Sequence, residues 1–190
     1  MWYRLGMNLT DQPEEILDLT DDNDIVIGQI EREEAEKQGL SLPGHVRAVD
    51  CFWVNSHSQI FIPVRLETKR IAPGGYDFSA AEHVQVGESY IDAIVRGFDE
   101  ELNMKVEPSQ FQELTKIDFK KLGVIPYFDT IFLYRSDDTP PYNPNDFSSH
   151  EWLTVDEVLH NIQNGHPAKK TLAIALETVK EKLQINQISV

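Results

Sequence analysis

The chain of 190 residues carries 32 acidic and 17 basic side chains, which gives a formal net charge of −15. This charge excludes a long nucleic acid or an anionic membrane as the main partner, because both would repel it. The length predicts a single domain, residues 1–190. The N-terminus lacks a basic segment followed by an apolar run, and Cys51 is the sole cysteine of the sequence. Together these features predict a cytoplasmic protein with no intrachain disulfide.

The first predicted elements form an N-terminal extension, residues 14–40. The turn-forming stretch "DDND" lies between "EEILDLT" and "DIVIGQI", which predicts a β-hairpin. The stretch "EREEAEKQGL" then predicts a short charged helix that ends near Gly39. Two strands follow in "HVRAVDCFWVN" and "QIFIPVRLE", because β-branched and aromatic residues dominate both, and "APGGYDFSAAEHV" continues as an extended piece.

An amphipathic helix is predicted over residues 89–104. Ser89 and Asp92 supply its N-terminal cap. Its apolar side chains recur at helical spacing, and they are Ile91, Ile94, Val95, Phe98 and Leu102. The other side carries Arg96, Asp99, Glu100 and Glu101. Clustered carboxylates suit Mg²⁺ or Mn²⁺, and the alternative interpretation is a solvated acidic face.

The C-terminal third predicts one more strand and two helices. The strand is "GVIPYFDTIFLYRS", and the loop "PPYNPNDFSSHE" follows it. Thr154 and Glu157 form a capping box that opens the first helix. The second helix begins after Pro167, and Lys169 and Lys170 lie in its first turn. They are expected to be solvent-exposed, and the alternative is contact with a ligand phosphate. Mixed strands flanked by helices predict an α/β fold.

The segment "EHVQVGESYIDAIVRGFDEELNM" resembles the Nudix box, whose pattern is G-x5-E-x7-R-E-U-x-E-E-x-G-U. The matching residues are Glu88, Arg96, Phe98, Glu100, Glu101 and Met104. The resemblance covers a core of residues 44–182, and the extension before it resembles the branch that includes isopentenyl-diphosphate isomerases. It implies a Nudix α/β/α sandwich with a mixed sheet and divalent-metal-dependent cleavage of a small diphosphate linked to another moiety.

The resemblance also implies roles for individual residues. The metal-binding positions, for Mg²⁺ or Mn²⁺, are Glu88, Glu100, Glu101 and Ala81. Glu100, Glu101 and Arg96 are the catalytic set, in which the planar guanidinium of Arg96 orients carboxylates. His83 is expected to be a structural, hydrogen-bonding residue.

Three positions depart from the box. Glu82 replaces the first glycine, Gly97 replaces the glutamate after the arginine, and Asn103 replaces the last glycine. Asparagine tolerates the left-handed conformation that ends a helix. Glu82 would constrain the loop or add a carboxylate near the metal.

Gly97 is the serious departure, because glycine can neither bind a metal nor activate water. Either catalysis is weakened or the base lies elsewhere, and the candidates are Asp129, His150 and Glu151. Taken one at a time, each of these residues is more often a solvated side chain than a base. If the base was lost at residue 97, Gly97→Glu is expected to increase hydrolysis.

Three functions remain open from the sequence. The first is a metal-dependent hydrolase of a small diphosphate, and the second is a catalytically impaired domain that binds a nucleotide or diphosphate as a sensor. Isomerase activity is disfavoured, because Ala81 stands at the position of the isomerase's catalytic cysteine and His45 lacks a partner histidine at Gln38. The expected partner is a small-molecule diphosphate, and a homodimer is compatible with the sequence.

Overall fold

The computed structural model describes residues 15–184. The prediction about the N-terminal leader, and residue 14 of the predicted extension, lie outside the described residues. Within residues 15–184, none of the helices is long and apolar enough to cross a membrane.

The extension forms a hairpin and a helix, as predicted. Its elements are β1 (Ile16–Thr20), β2 (Val26–Glu31) and α1 (Arg32–Gln38). The strands pair antiparallel, and Gly39 ends the helix with a φ of 51°, a value that favours glycine.

The remaining strands build a mixed sheet. They are β3 (Val46–Val54), β4 (Ile60–Arg65), β5 (Ala80–His83), β6 (Gln112–Asp118), β7 (Tyr127–Arg135) and β8 (Phe147–Leu153). Their order is β6-β7-β3-β4-β8, and β5 pairs with the beginning of β3. The pair β3 and β7 is parallel, and the other pairs are antiparallel. The prediction of a mixed sheet is confirmed.

Helices cover both faces of this sheet. The helices are α2 (Tyr90–Leu102), α3 (Val155–Gln163) and α4 (Leu172–Gln184). One apolar core packs the sheet against α2 around Trp53 and Phe98, whose rings stack with centroids 5.9 Å apart. A second core packs the opposite face against α3 and α4 around Phe52 and Leu176. The arrangement is therefore an α/β/α sandwich.

Local signals set the ends of α2 and α3. The Ser89 hydroxyl accepts a hydrogen bond from Asp92 N at 3.2 Å, and Asn103 ends α2 with a φ of 52° in the left-handed region. Both predictions are confirmed. The capping box at the start of α3 is also present, since Thr154 and Glu157 each bond the other's backbone nitrogen.

Two strands and one helix start were predicted wrongly. Strand β6 was not predicted at all, and β8 lies where a loop was expected. Both are edge strands with mostly exposed or half-buried side chains, so their apolar pattern is weak. Helix α4 begins at Leu172 rather than directly after Pro167, so Lys169 and Lys170 precede it.

Asp24 fixes the extension to the rest of the fold. This residue of the hairpin turn accepts hydrogen bonds from Arg47 Nε on β3 at 2.6 Å, Lys116 Nζ on β6 at 2.5 Å and the Tyr90 hydroxyl on α2 at 2.9 Å. A second contact joins β1 to the turn before α2, where Asp18 Oδ2 accepts from Gly87 N at 3.1 Å. The extension is thus held against three elements of the sandwich.

Candidate active site

A cavity of about 610 Å³ opens where the parallel strands β3 and β7 begin. Strand β5, the end of α2, the helix α1 and the segment before α4 complete its walls. Its acidic lining residues are Glu36, Asp50, Glu82, Glu101, Asp129 and Asp146. Its basic lining residues are Arg32, Arg65, Lys69, Arg70, Lys169 and Lys170. Such a site can hold cations and phosphate groups side by side.

Arg96 is the centre of a carboxylate network at the edge of this cavity. Its guanidinium binds Glu88 in a fork, with Nε to Oε1 at 3.0 Å and Nη2 to Oε2 at 3.1 Å. The same group donates to Glu82 Oε2 at 3.0 Å, to the His83 carbonyl oxygen at 2.7 Å and, weakly, to Glu100 Oε2 at 3.5 Å. Both oxygens of Glu88 are therefore occupied, which favours a positioning role for Glu88 over direct metal binding.

Glu101 is the buried carboxylate of α2, with 5% of its surface exposed. Its Oε2 accepts a hydrogen bond from Ala81 N at 2.9 Å. Burial raises the pKa of Glu101 well above its ordinary value, and the nearby charges of Glu82 and Asp77 raise it further. A cation in the cavity would reverse this effect, because it would stabilise the ionised form. Ala81 itself can offer a metal nothing beyond its backbone atoms.

Gly97 is buried on α2 directly beneath Glu82. A Cβ atom at residue 97 would lie 2.7 Å from Glu82 Cγ, closer than real Cβ contacts allow. A glutamate at residue 97 would therefore require the side chain of Glu82 to move. The side chain of Glu82, on β5, occupies the space that a side chain at residue 97 would need.

Two aspartates from neighbouring strands form the floor of the cavity. Asp50 on β3 and Asp129 on β7 share a hydrogen bond. Burial and the charge of Asp129 raise the pKa of Asp50 well above its ordinary value, and burial raises the pKa of Asp129 to about 6. The two carboxyl groups therefore titrate as an interacting pair. Asp129 Oδ1 is buried and has no hydrogen-bond partner among residues 15–184.

Lys169 contributes a partly buried positive charge to the same cavity. Its ammonium group lies 2.8 Å from Asp77 Oδ1, and its side chain is 21% exposed. The expectation of solvent exposure is wrong for Lys169, because the segment before α4 turns this residue inward, whereas it is confirmed for Lys170. Burial alone would raise the pKa of Asp77, but Lys169 and Arg65 outweigh it and hold that pKa below its ordinary value.

The structure does not bring the other candidate bases into the cavity. Glu151 is exposed on β8, where its Oε1 accepts a hydrogen bond from the Tyr76 hydroxyl at 3.2 Å, and neither Glu151 nor His150 lines the cavity. His83 does line it, with Nε2 located 3.2 Å from the Tyr127 hydroxyl. Burial holds the pKa of His83 well below its ordinary value, so the ring is neutral, in agreement with a structural role.

The donor set fits a hard divalent cation in its chemistry. Glu82 Oε1 and Asp129 Oδ1 are buried carboxylate oxygens without a hydrogen-bond partner among the described residues, and oxygen is the ligand atom that Mg²⁺ and Mn²⁺ prefer. Within residues 15–184, however, no three acidic, histidine or cysteine side chains are gathered closely enough to hold a metal ion by themselves. Water and substrate oxygens would have to complete the shell, as is usual for Mg²⁺.

The mixed sheet between α2 on one face and α3 and α4 on the other, with arginine-bound glutamates beside a polar cavity, defines a Nudix α/β/α sandwich. The NUDIX domain model matches residues 44–174. An uncharacterised Nudix hydrolase from Nostoc sp. is 39% identical over 165 residues, which cover 83% of this chain and 91% of the relative. The crystal structure of a Deinococcus radiodurans protein superimposes with a TM-score of 0.77 at 36% identity, covering 86% of this chain and 98% of that chain. The chain therefore belongs to the Nudix hydrolase family.

The likeness to the isomerase branch is also confirmed. An isopentenyl-diphosphate Delta-isomerase from Photorhabdus laumondii is 29% identical over 152 residues, covering 77% of this chain and 84% of the relative. In this chain His45, 1% exposed, lies with Nε2 located 3.2 Å from Asp118 Oδ1 and does not line the cavity.

Sequence reasoning missed several residues of the site. Asp50 lies in the apolar stretch "AVDCFWV", and a carboxylate inside a buried strand was a signal that could have identified it. Arg32 and Glu36 of α1 also line the cavity. No residue pattern indicated that the extension would reach the site, because their positions depend on how the hairpin docks.

Proposed function

We propose that the protein is a divalent-metal-dependent hydrolase of a small diphosphate, namely a nucleoside diphosphate linked to another moiety. The observation that carries this proposal is a single cavity whose walls hold both carboxylates and basic side chains. Carboxylates suit Mg²⁺ or Mn²⁺, and the basic groups suit phosphate oxygens. When bound, the cation would supply charge neutralisation and polarisation of the phosphate group.

The described side chains support distinct roles. Glu101, which lines the cavity, and Glu100, which lies beside Arg96 at the cavity edge, would hold the cation. Arg96 would keep the neighbouring carboxylates in position through its fork to Glu88. Asp129 is the best-placed base, because it lines the cavity and its Oδ1 has no hydrogen-bond partner among residues 15–184. Glu151 is not proposed as a base, since it lies outside the cavity.

Lys169 and Lys170 support the binding of phosphate. Lys169 brings a partly buried positive charge to the cavity, and Lys170 adds an exposed one. The charge of Lys169 is balanced by Asp77 in the free protein, so its contribution would be electrostatic and would not require a direct bond to substrate. A cytoplasmic location and a homodimer remain proposals from the sequence.

The alternative is a Nudix domain that binds a nucleotide or diphosphate as a sensor. Gly97 favours this alternative, because the helix lacks the carboxylate that the family pattern places after the arginine. A sensor would bind the cation and the diphosphate together but would not cleave the diphosphate. Isomerase activity is not proposed, because Ala81 in the cavity wall offers no group that can transfer a proton.

The test is hydrolysis of a panel of nucleoside diphosphates linked to sugars, coenzymes and nucleosides, with Mg²⁺, with Mn²⁺ and with a chelator. A phosphatase added to the assay would release phosphate from the nucleoside monophosphate products, and that phosphate would be measured. We expect metal-dependent turnover that falls by at least about tenfold in Glu101→Gln, and Asp99→Asn is the matched control because Asp99 is an exposed acid of the same helix. Absence of turnover across the panel, with binding retained, would favour the sensor. Turnover that survives the chelator would contradict the metal dependence.

A further inference from the structure

Two residues that depart from the box pattern, Glu82 and Gly97, lie against each other in the structure. Glu82 stands where the family pattern has a glycine, and Gly97 stands where it has a glutamate. In the structure Glu82 Cγ lies 2.7 Å from the point where a Cβ of residue 97 would be. A glycine inside a helix lowers its stability relative to alanine, and Gly97 has an ordinary helical conformation, so the backbone does not require glycine here. The side chain of Glu82 explains its presence.

The carboxylate of Glu82 reaches the cavity from this position. Its Oε2 accepts a hydrogen bond from Arg96 Nη1 at 3.0 Å, and the same nitrogen contacts Glu100 Oε2 at 3.5 Å. The side chain of Glu82 is 11% exposed, and the residue lines the cavity together with Glu101. The carboxylate of Glu82 therefore lies close to both glutamates that the box motif assigns to the metal.

One oxygen of Glu82 is left without a partner. Glu82 Oε1 is buried, and none of residues 15–184 donates a hydrogen bond to it. Asp129, which is 2% exposed, presents a second unpartnered carboxylate oxygen, Oδ1, to the same cavity. Buried polar atoms are almost always paired, and these two orphaned carboxylate oxygens belong to residues that line one cavity, so they are candidate ligands for a cation.

We propose that Glu82 supplies the metal-directed carboxylate that the family pattern places at residue 97. The glutamate has moved from the helix to the preceding strand, and the glycine has moved from the strand to the helix. The box is therefore rearranged and retains its number of carboxylates. This inference rests on the proposed function, since it assigns a further residue to the same metal site.

The test measures Mn²⁺ affinity by calorimetry in the presence of a non-hydrolysable α,β-methylene nucleoside diphosphate. We expect Glu82→Gln, which keeps the shape of the side chain, to weaken Mn²⁺ binding by at least about tenfold. Gly97→Ala should weaken it as well, because the added Cβ displaces Glu82. The exchange Glu82→Gly with Gly97→Glu should bind Mn²⁺ more tightly than Glu82→Gly alone. Asp99→Asn removes one charge from the same helix without contacting Glu82 and should leave the affinity unchanged.

The outcomes separate this inference from the hydrolase proposal. If Glu82→Gln binds Mn²⁺ as tightly as the wild type, Glu82 is not a metal-directed residue, even where hydrolysis is observed. If Glu82→Gly gains nothing from Gly97→Glu, the two positions do not exchange roles. If the wild type binds Mn²⁺ through Glu82 but cleaves no member of the substrate panel, Glu82 keeps its role and the hydrolase proposal fails. Circular dichroism of each variant confirms that the fold is retained, and Glu82→Gln tests the assignment independently of any change in packing.

Discussion

Arg96 is expected to be the residue of the site that contributes most to stability in the absence of metal. Its side chain is 20% exposed, and its partners Glu82 and Glu88 are 11% and 16% exposed. Removing one member of a buried ion pair costs about 3–5 kcal/mol, because the other charge stays buried without a partner. Partial exposure of these groups, and protonation of Glu82, whose pKa burial raises to about 7, reduce the cost. We expect Arg96→Met to lower the free energy of unfolding by about 2–4 kcal/mol.

The lysine variant separates charge from geometry at this position. Lysine keeps the positive charge but cannot donate the fork to Glu88 together with the bonds to Glu82 and the His83 carbonyl oxygen. Arg96→Lys should therefore cost about 1.5–3 kcal/mol, the range for hydrogen bonds to charged groups. Urea denaturation at pH 8 without divalent metal measures both variants against Asp99→Asn. A loss below about 1 kcal/mol in Arg96→Met would refute the claim that Arg96 holds buried carboxylates together.

Three further predictions concern the hairpin, the base and the isomerase chemistry. Burial alone would raise the pKa of Asp24, but hydrogen bonds from Lys116, Arg47 and Tyr90 outweigh it and hold that pKa below its ordinary value. Asp24→Asn should therefore lower the free energy of unfolding by about 1–2 kcal/mol at pH 7, allowing for solvent screening. Denaturation titrations at several pH values should show that this difference vanishes as the pH falls through the lowered pKa of Asp24, below about 4. Asp129→Asn should lower kcat by about 10²-fold with little change in KM, as measured by steady-state kinetics on an accepted substrate. An unchanged kcat would mean that another residue is the base. Isopentenyl diphosphate should not be isomerised, and product analysis that finds metal-dependent allylic diphosphate would contradict this.

The spacing of the box residues predicted much of the site. Residues on one face of a helix lie three or four apart, so the sequence places Arg96 next to Glu100 and on the same side as Glu101. The capping residues Ser89 and Asn103 likewise act over a few positions, and the structure confirms both. These features depend on short-range geometry, which a single sequence records.

The relation between Glu82 and Gly97 could not be predicted in the same way. The two residues belong to different elements, and their contact depends on how α2 packs against β5. From the sequence alone, each was a separate departure from the pattern, and Gly97 indicated a loss. The buried pair of Asp50 and Asp129 depends similarly on the parallel pairing of β3 with β7, which neither strand encodes by itself.

The two edge strands, β6 and β8, could not be predicted from the sequence either. Strand β6 has polar residues at most positions, and β8 follows a stretch rich in proline and asparagine. Their place in the sheet depends on backbone pairing with β7 and β4 more than on an apolar pattern. A prediction from hydrophobic periodicity therefore assigns both strands to loops.

The central claim is that the cavity binds a divalent cation and a diphosphate together. The most direct measurement is a calorimetric titration of the wild-type protein with Mn²⁺, with and without an α,β-methylene nucleoside diphosphate. Because the described side chains do not hold a metal ion by themselves, we predict weak binding without the diphosphate and binding tighter by about tenfold or more with it. An equal affinity under the two conditions, unchanged in Glu101→Gln, would contradict the account.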